Sequence, residues 1–262
     1  MTSTGETQTT ANTEASPNAS QAFSQRSAAL LAGVGLLVMA AIAPFVVFGV
    51  LGTLVVSGDA TETFNNIEAS QGLFRSGIAG FLVVIVLDIL VAWALYVLLA
   101  PVHRSLALLT AWLRVAFAAV FAGALMNLLE AAELVAGAAQ STLSPEQLSE
   151  QVLSSVASFE DGWAGIALGI FGVHLLVLGY LLVRSADFPG FLGVLVVIAG
   201  VGYLFDSFGT ILVPDYALTI STVTFVGEAL LIFWLFWRAI RGFPSESASP
   251  GAQVRAARPV QL

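Results

Sequence analysis

Residues 163–211 read WAGIALGIFGVHLLVLGYLLVRSADFPGFLGVLVVIAGVGYLFDSFGTI, and this stretch decides the fold. It contains two apolar runs, 163–183 and 188–211, which are separated only by the short polar segment 184–187. A helix of about 20 apolar residues is long enough to cross a hydrocarbon core of roughly 30 Å. Because the connection is so short, the two runs are predicted to form a hairpin of antiparallel membrane helices.

The composition of the whole chain indicates the same class of protein. Of the 262 residues, 58% are hydrophobic and only 10% are charged, and the mean hydropathy is +0.92. A soluble domain does not keep that much apolar surface in water, so the lipid bilayer is the predicted environment. The chain has no cysteine, which excludes disulfides and thiolate metal sites, and we expect no metal and no cofactor. Its net charge of -8 argues against a nucleic-acid partner.

Four further apolar segments accompany the hairpin, which gives an all-α, polytopic membrane bundle of six transmembrane helices. The predicted spans are 28–56, 77–100, 106–129, 163–183, 188–211 and 216–237. They lie within a membrane domain at 26–241, and polar tails at 1–25 and 242–262 are predicted to be disordered. Pro44 lies inside the first span and is expected to kink it or to mark its exit.

The two long connections between spans are predicted to carry helices at 61–70 and 145–159. Asp59 or Thr61 can cap the first of these helices. Ser144 and Gln147 form a capping-box pattern at the start of the second. Leu148, Val152, Val156 and Phe159 then recur at helical spacing, which is typical of an amphipathic helix lying on a membrane surface.

Positive charge is distributed unevenly over the loops. One set of flanks and turns carries five arginines, namely Arg26, Arg104, Arg184, Arg238 and Arg241, whereas the opposite loops carry Arg75. Loops rich in arginine stay on the cytoplasmic side. Both termini are therefore predicted to be cytoplasmic, in a multi-pass protein of the cell membrane, with the two loop helices facing outward.

Four blocks of sequence resemble a known family. They are NNIEASQGLFRSGI at 65–78, LYVLLAPVHRSLALLTAWLRVAFA at 95–118, GVHLLVLGYLLVRSADFPGFLGVLVVIAGVGYLFDSF at 172–208 and VGEALLIFWL at 226–235. The chain resembles the bacterial and archaeal membrane family known as domain of unknown function 4386, over about residues 26–241. This resemblance implies a polytopic helical membrane protein, and it supplies no catalytic or binding residues.

Polar side chains within the predicted spans are the candidates for function. Asp88, Arg114, His174 and Glu228 lie in different helices, and counting about 1.5 Å per residue places them roughly 12–18 Å from the cytoplasmic ends. A charged side chain in lipid costs at least about 3 kcal/mol, so these groups should face protein or water. We predict an intramembrane polar cluster in which Arg114 pairs with Asp88 or Glu228.

A second polar group is predicted nearer the outer surface. Asn127, Glu130 and Asp206 lie toward the outer ends of their spans, and Ser221 and Thr224 extend the polar face of Glu228 outward. An outward-opening cavity would require such a distribution. Asp88, Asp206 and Glu228 outnumber the single Arg114, so at least one carboxyl group should be protonated, hydrated or bound to a cation.

Helix 163–183 has two distinct sides. Gly165, Gly169, Gly172 and Gly179 form a seam of small residues, which favours close packing with another helix, in this chain, in a homo-oligomer or in a membrane partner. His174 lies roughly opposite this seam and is interpreted as a neutral, hydrogen-bonded histidine. His103 is too distant along the axis for a shared metal or haem.

Three hypotheses for function follow from these patterns. The first is a non-enzymatic membrane component whose polar cluster is structural. The alternative is a small transporter or proton- or cation-coupled channel that uses the intramembrane carboxylates, with Arg114 as the counter-charge. An intramembrane or lipid-modifying enzyme is least favoured, because the sequence contains no nucleophile-base or metal-binding motif. Trp93, Trp163, Trp234 and Trp237 are interpreted as packing or interface residues.

Overall fold

The computed structural model describes residues 24–213, 216 and 218–242, and these residues form nine α-helices and no strand. The tails predicted at 1–25 and 242–262 lie outside this part of the chain, apart from their inner ends. The helices are α1 Gln25–Pro44, α2 Gly52–Leu54, α3 Ala60–Ala69, α4 Gln71–Ala136, α5 Pro145–Glu160, α6 Leu168–Arg184, α7 Gly190–Leu212, α8 Ser221–Thr224 and α9 Val226–Arg241. The prediction of an all-α fold is confirmed.

Five helical stretches of the described chain are long and apolar enough to cross a membrane. They are Gln25–Leu54, Gln71–Ala136, Pro145–Arg184, Gly190–Leu212 and Ser221–Arg241. Only 28% to 50% of the residues in their apolar windows are buried inside the protein. The remaining apolar side chains point outward, as lipid-facing surfaces do and as water-facing surfaces do not. The chain is therefore a polytopic helical membrane protein.

The longest helix, α4, consists of two antiparallel limbs, 71–102 and 104–136. His103 between them has non-helical dihedral angles (φ -160°, ψ 99°). A straight helix of 66 residues would be about 100 Å long, far more than one crossing requires. Instead the limbs fold back on each other, so that Arg75 lies 3.0 Å from Glu133. If each limb crosses the membrane, the chain has the six crossings expected from the sequence, and that number stays a prediction.

Widened π-helical turns interrupt two of the long helices. The first, Phe45–Leu51, follows Pro44, so the proline changes the helix geometry without ending it. The second, Asp161–Ala167, joins α5 to α6 in one continuous helical stretch. The sequence predicted a break between these two helices, and it missed their continuity.

The apolar stripe of α5 does not face lipid as expected, and the position of α5 on the membrane surface stays a prediction. Its apolar stripe is buried inside the protein, where α5 packs against α3 and α4. The Phe159 ring, for example, stacks on Phe81 with the ring centroids 5.6 Å apart. The physical reason is that an amphipathic stripe fits an apolar protein surface as well as it fits lipid. The local signals were correct: Asp59 caps α3, and the capping box of Ser144 and Gln147 is present.

Six helical segments pack in a closed ring: α1, the two limbs of α4, α6, α7 and α9. Both described ends of the chain meet at one end of this ring, which we call the termini end. There the Arg26 guanidinium donates to the carbonyl oxygens of Ala239 and Ile240, each over 3.1 Å. At the same end, Arg238 Nε donates to the carbonyl oxygen of Asp187 over 2.8 Å and fixes the α6–α7 turn. The chain therefore traverses the ring an even number of times.

Candidate functional site: a polar cluster beside a central cavity

Asp88 and Arg114 form a buried ion pair between the two limbs of α4. Arg114 Nη2 lies 2.6 Å from Asp88 Oδ1, and both side chains are only 3% exposed. Each charge would be very unfavourable alone in an apolar interior, and together they neutralise each other. The pair therefore holds the hairpin closed at about its middle.

His174 on α6 extends this pair to a third helical segment. Its Nδ1 lies 2.9 Å from the carbonyl oxygen of Thr110, and its Nε2 lies 3.3 Å from Arg114 Nη1. A carbonyl oxygen only accepts and a guanidinium only donates, so Nδ1 carries the proton and Nε2 accepts. His174 is thus a neutral imidazole with both nitrogens occupied and no exposed surface. We call Asp88, Arg114 and His174 the clasp.

Glu228 on α9 lies next to the clasp and is bonded differently. Its carboxyl group is within electrostatic range of Arg114 and Asp88, and the Tyr203 phenol on α7 lies beside it. Glu228 Oε1 is inaccessible to solvent and has no hydrogen-bond partner among the described residues. A buried acceptor without a partner is costly, so this oxygen can accept a hydrogen bond from a group outside the described residues.

A cavity of about 280 Å³ lies in the centre of the helix ring, and all six segments contribute to its wall. Its polar lining consists of Asp88, Arg114, Tyr203 and Glu228, and the rest is apolar or aromatic. The aromatic lining residues are Phe81, Phe117, Phe121, Trp163, Phe171, Tyr203 and Phe225. Small-molecule sites combine such apolar walls with a few convergent polar groups, in volumes from about 300 Å³ upward.

The cavity is partly open, and its mouth can be located from the exposure of its lining. Only Ala40, Pro44 and Phe225 are exposed among the lining residues. The first two lie on α1 and the third immediately precedes α9, so the cavity opens between these helices. Pro44 lies about 27 Å along the helix from Arg26, nearly the thickness of a hydrocarbon core. The mouth therefore lies toward the end of the ring opposite the termini end.

One of the widened turns lies at the cavity wall, and the other directly follows a wall residue. Trp163 belongs to the turn Asp161–Ala167 and lines the cavity, and the lining residue Pro44 immediately precedes the turn Phe45–Leu51. Single-turn π-helical insertions inside α-helices are frequently found at functional sites. Here the second widened turn sets the spacing between Trp163 and the wall residues Leu168 and Phe171 of α6.

The predicted outer group, Asn127, Glu130 and Asp206, does not form one cluster through its described hydrogen bonds. The Asp206 carboxylate accepts from the Tyr216 hydroxyl over 2.8 Å and from the backbone N–H groups of Ile220 and Ser221 over 2.9 and 2.7 Å. It thereby links the end of α7 to the start of α8. Asn127 Nδ2 donates to the carbonyl oxygen of Ala124 in its own helix, and Glu130 is exposed.

The predicted glycine seam is used within the chain, because α7 packs against it. A Cβ atom on Gly172 would lie 2.9 Å from the Gly200 carbonyl oxygen, and one on Gly179 would lie 2.6 Å from that of Gly193. Gly165 and Gly169 face α7 as well, near Thr210 and Ser207. This backbone contact explains the glycines without a second molecule, and the expected oligomer stays a prediction.

Sequence reasoning missed the aromatic wall. Phe117 and Phe121 follow Arg114 by three and seven residues, and Phe81 precedes Asp88 by seven, so helical spacing puts them on the faces of the charged pair. That signal was present in the sequence. Trp163, interpreted there as a packing or interface residue, packs against Phe81 and Phe121 with centroids 6.1 Å apart in both cases. It also lines the cavity.

Comparison with known proteins is consistent with this architecture and gives the chain a family. The profile of a domain of unknown function, DUF4386, matches residues 31–239. The chain belongs to this family. A relative from Archaeoglobus fulgidus, described as an uncharacterized protein, is 33% identical over 158 residues, which cover 60% of this chain and 80% of the relative. No solved structure matches the chain significantly.

Proposed function

We propose that this DUF4386 protein is a non-enzymatic membrane protein that binds a small, mainly apolar molecule in its central cavity. The observation that carries the proposal is the partly open cavity of about 280 Å³. Its walls are apolar and aromatic, and its few polar groups converge from α4, α7 and α9. That combination is the usual composition of a small-molecule site.

The clasp has a structural role in this proposal. Asp88, Arg114 and His174 bond to one another across three helical segments. Buried charged groups of this kind fix the register of helices. The clasp keeps both limbs of α4 and α6 in the positions from which their side chains form the cavity wall.

An enzymatic function is disfavoured by the bonding of the one histidine near the cavity. Both nitrogens of His174 are occupied, by Thr110 and Arg114, and the residue is fully buried. It is not placed to exchange protons with a molecule in the cavity, as a general base must.

A small transporter is the second candidate, and Glu228 is the observation that favours it. Its Oε1 has no partner among the described residues, and the residue lines a cavity that is open to one side of the ring. Intramembrane carboxylates in such positions are used as proton or cation exchange sites. Asp88 is the less favoured exchange site, because it is bound to Arg114.

For location, we propose the cell membrane with both termini on the cytoplasmic side. Three arginines lie at the termini end, namely Arg26, Arg238 and Arg241. The positive-inside rule assigns arginine-rich flanks to the cytoplasmic side. A homo-oligomer or a membrane partner would contact the outward apolar faces of the ring, since α7 covers the glycine seam.

The binding proposal is tested with a neutral aromatic probe, neopentylbenzene, and a variant that fills the cavity. Ala229→Phe places a ring where a small side chain lines the cavity, and Ala119→Phe adds the same ring on an exposed face of α4. The probe should raise the melting temperature of the wild type and of Ala119→Phe in detergent, but not that of Ala229→Phe. Equal stabilisation of all three would place the probe outside the cavity and refute the proposal.

The transport candidate is tested by proton and cation flux in proteoliposomes. Glu228→Gln removes the charge inside the cavity, and Glu130→Gln is the matched change on an exposed carboxylate of α4. Flux that survives in Glu130→Gln and is lost in Glu228→Gln would establish transport. Absence of flux in the folded wild type would reject it and leave binding alone.

A further inference from the structure

We propose that the cavity ligand is a lipophilic organic cation, and that Glu228 is its counter-ion. This inference rests on the proposed function, because it names the class of molecule that the cavity binds. It follows from three properties of the wall: its uncompensated charge, its aromatic surface and the position of its mouth.

The charges of the cavity wall do not balance. Two carboxyl groups, Asp88 and Glu228, line the cavity with one cation, Arg114. Arg114 is committed to Asp88 at 2.6 Å and to His174 at 3.3 Å, while Glu228 Oε1 has no partner within the described chain. Formally, the lining carries one uncompensated negative charge when both acids are ionised. A monovalent cation in the cavity beside the Glu228 carboxyl group restores neutrality.

Aromatic rings face the same space and suit a cation with an organic body. Trp163 contacts Phe81, Phe121 and Phe159, with centroid distances from 5.9 to 6.1 Å. The negative faces of such rings attract quaternary and protonated amines, and tryptophan does so most strongly. The ring faces thus compensate for the hydration that a cation loses in the cavity. The apolar parts of the wall contact the alkyl or aryl body of the ligand.

The mouth of the cavity further favours a lipophilic ligand. It lies between α1 and α9, two segments with mainly outward apolar surfaces, and its exposed lining residues are Ala40, Pro44 and Phe225. A molecule that enters there contacts apolar side chains and not a polar vestibule. A hydrated inorganic cation would be disfavoured at this mouth, since its exposed side chains offer no oxygen ligands.

Charge complementarity also excludes an anionic occupant. A carboxylate or phosphate would be repelled by Glu228 and would compete with Asp88 for Arg114. A two-chain lipid is too large for a cavity of about 280 Å³.

Two probes of the same shape test the inference. Benzyltrimethylammonium and neopentylbenzene differ only by a quaternary nitrogen in place of a quaternary carbon, and phenylacetate serves as the anion. Binding is measured by ligand-dependent thermal stabilisation of the full chain in detergent, for the wild type, Glu228→Gln and Glu130→Gln. We expect the wild type and Glu130→Gln to bind the cation about tenfold more tightly than the neutral probe, and phenylacetate least. In Glu228→Gln the preference for the cation should fall to about equality.

Each outcome decides the inference. If the neutral probe binds as well as the cation, the ligand class is wrong, and the proposed function survives. If none of the probes binds to the cavity, both the ligand class and the proposed function fail. If the preference persists in Glu228→Gln, the counter-ion is not Glu228. Should Glu228→Gln fail to fold, Trp163→Leu replaces it, and this variant should lose more affinity for the cation than for the neutral probe.

Discussion

Replacing Asp88 by Asn is the sharpest test of the clasp. The substitution keeps the shape of the side chain but leaves Arg114 in the interior with a charge that it cannot lose by deprotonation. Both side chains of the pair are 3% exposed, so water does not compensate for the missing carboxylate. Breaking a buried pair by removing one partner costs about 3–5 kcal/mol. Glu228, which is within electrostatic range of Arg114, should take over part of the interaction and bring the cost toward about 3 kcal/mol.

The assay is reversible unfolding in mixed detergent micelles, which gives a free energy of unfolding for each variant. The set contains Asp88→Asn, Arg114→Gln and the double variant, and the coupling between the two sites should be about 2–3 kcal/mol. Glu133→Gln is the matched control, because it breaks the Arg75–Glu133 pair at 3.0 Å with side chains that are 42% and 64% exposed. An exposed pair contributes only about 0–1 kcal/mol.

Two results would refute this reasoning. The first is a cost for Asp88→Asn no larger than that of the Glu133→Gln control. The second is strict additivity of Asp88→Asn and Arg114→Gln, because residues that bond directly must show coupling. The double variant Asp88→Asn with Glu228→Gln measures the interaction of Glu228 with Arg114 that remains when Asp88 is neutral. This double variant should lose more stability than the sum of the two single changes.

Three further predictions concern packing and caps. Gly193→Ala should destabilise the α6–α7 hairpin by about 1–3 kcal/mol, since the new Cβ atom would lie 2.6 Å from the Gly179 carbonyl oxygen. Gly190→Ala is the control, because a Cβ atom there meets open space. Equal melting temperatures of the two variants would contradict the packing argument. Asp206→Ala should increase amide hydrogen exchange at residues 220 and 221 roughly tenfold, because both N–H groups lose their acceptor, and unchanged exchange there would reject the linking role. Ser144→Ala should cost about 1 kcal/mol through loss of the capping box, measured as a lower free energy of unfolding, whereas Ser144→Asp should restore it.

The sequence predicted best what depends on neighbouring residues. Apolar runs of membrane length predicted the helical class, and the caps at Asp59 and Ser144 were correct because a cap is bonded within its own first turn. The sequence also predicted that Arg114 pairs with Asp88 or Glu228, because Arg114 is the one arginine inside the predicted spans and needs a carboxylate nearby. The structure shows the pair with Asp88.

The sequence was least informative where a helix face could contact more than one kind of surface. The stripe of α5 was assigned to lipid and is buried in protein, and Asp206 was grouped with Asn127 and Glu130 but bonds to residues 216, 220 and 221. Periodicity defines which residues share a face of a helix. It does not define the rotation of that helix about its axis relative to its neighbours, and that rotation decides which faces meet.

By itself, the sequence determined that this protein is a helical membrane protein, where its helices run and that charged groups lie within them, because these properties follow from local hydropathy and chain length. Only the tertiary structure decided that Arg114 bonds to Asp88 and His174, and that aromatic rings from distant segments enclose a cavity. It also decided that one oxygen of Glu228 has no partner within the described part of the chain. The reason is that a cavity is the space left where six segments fail to fill the centre of their ring, and this depends on the closure of the whole ring.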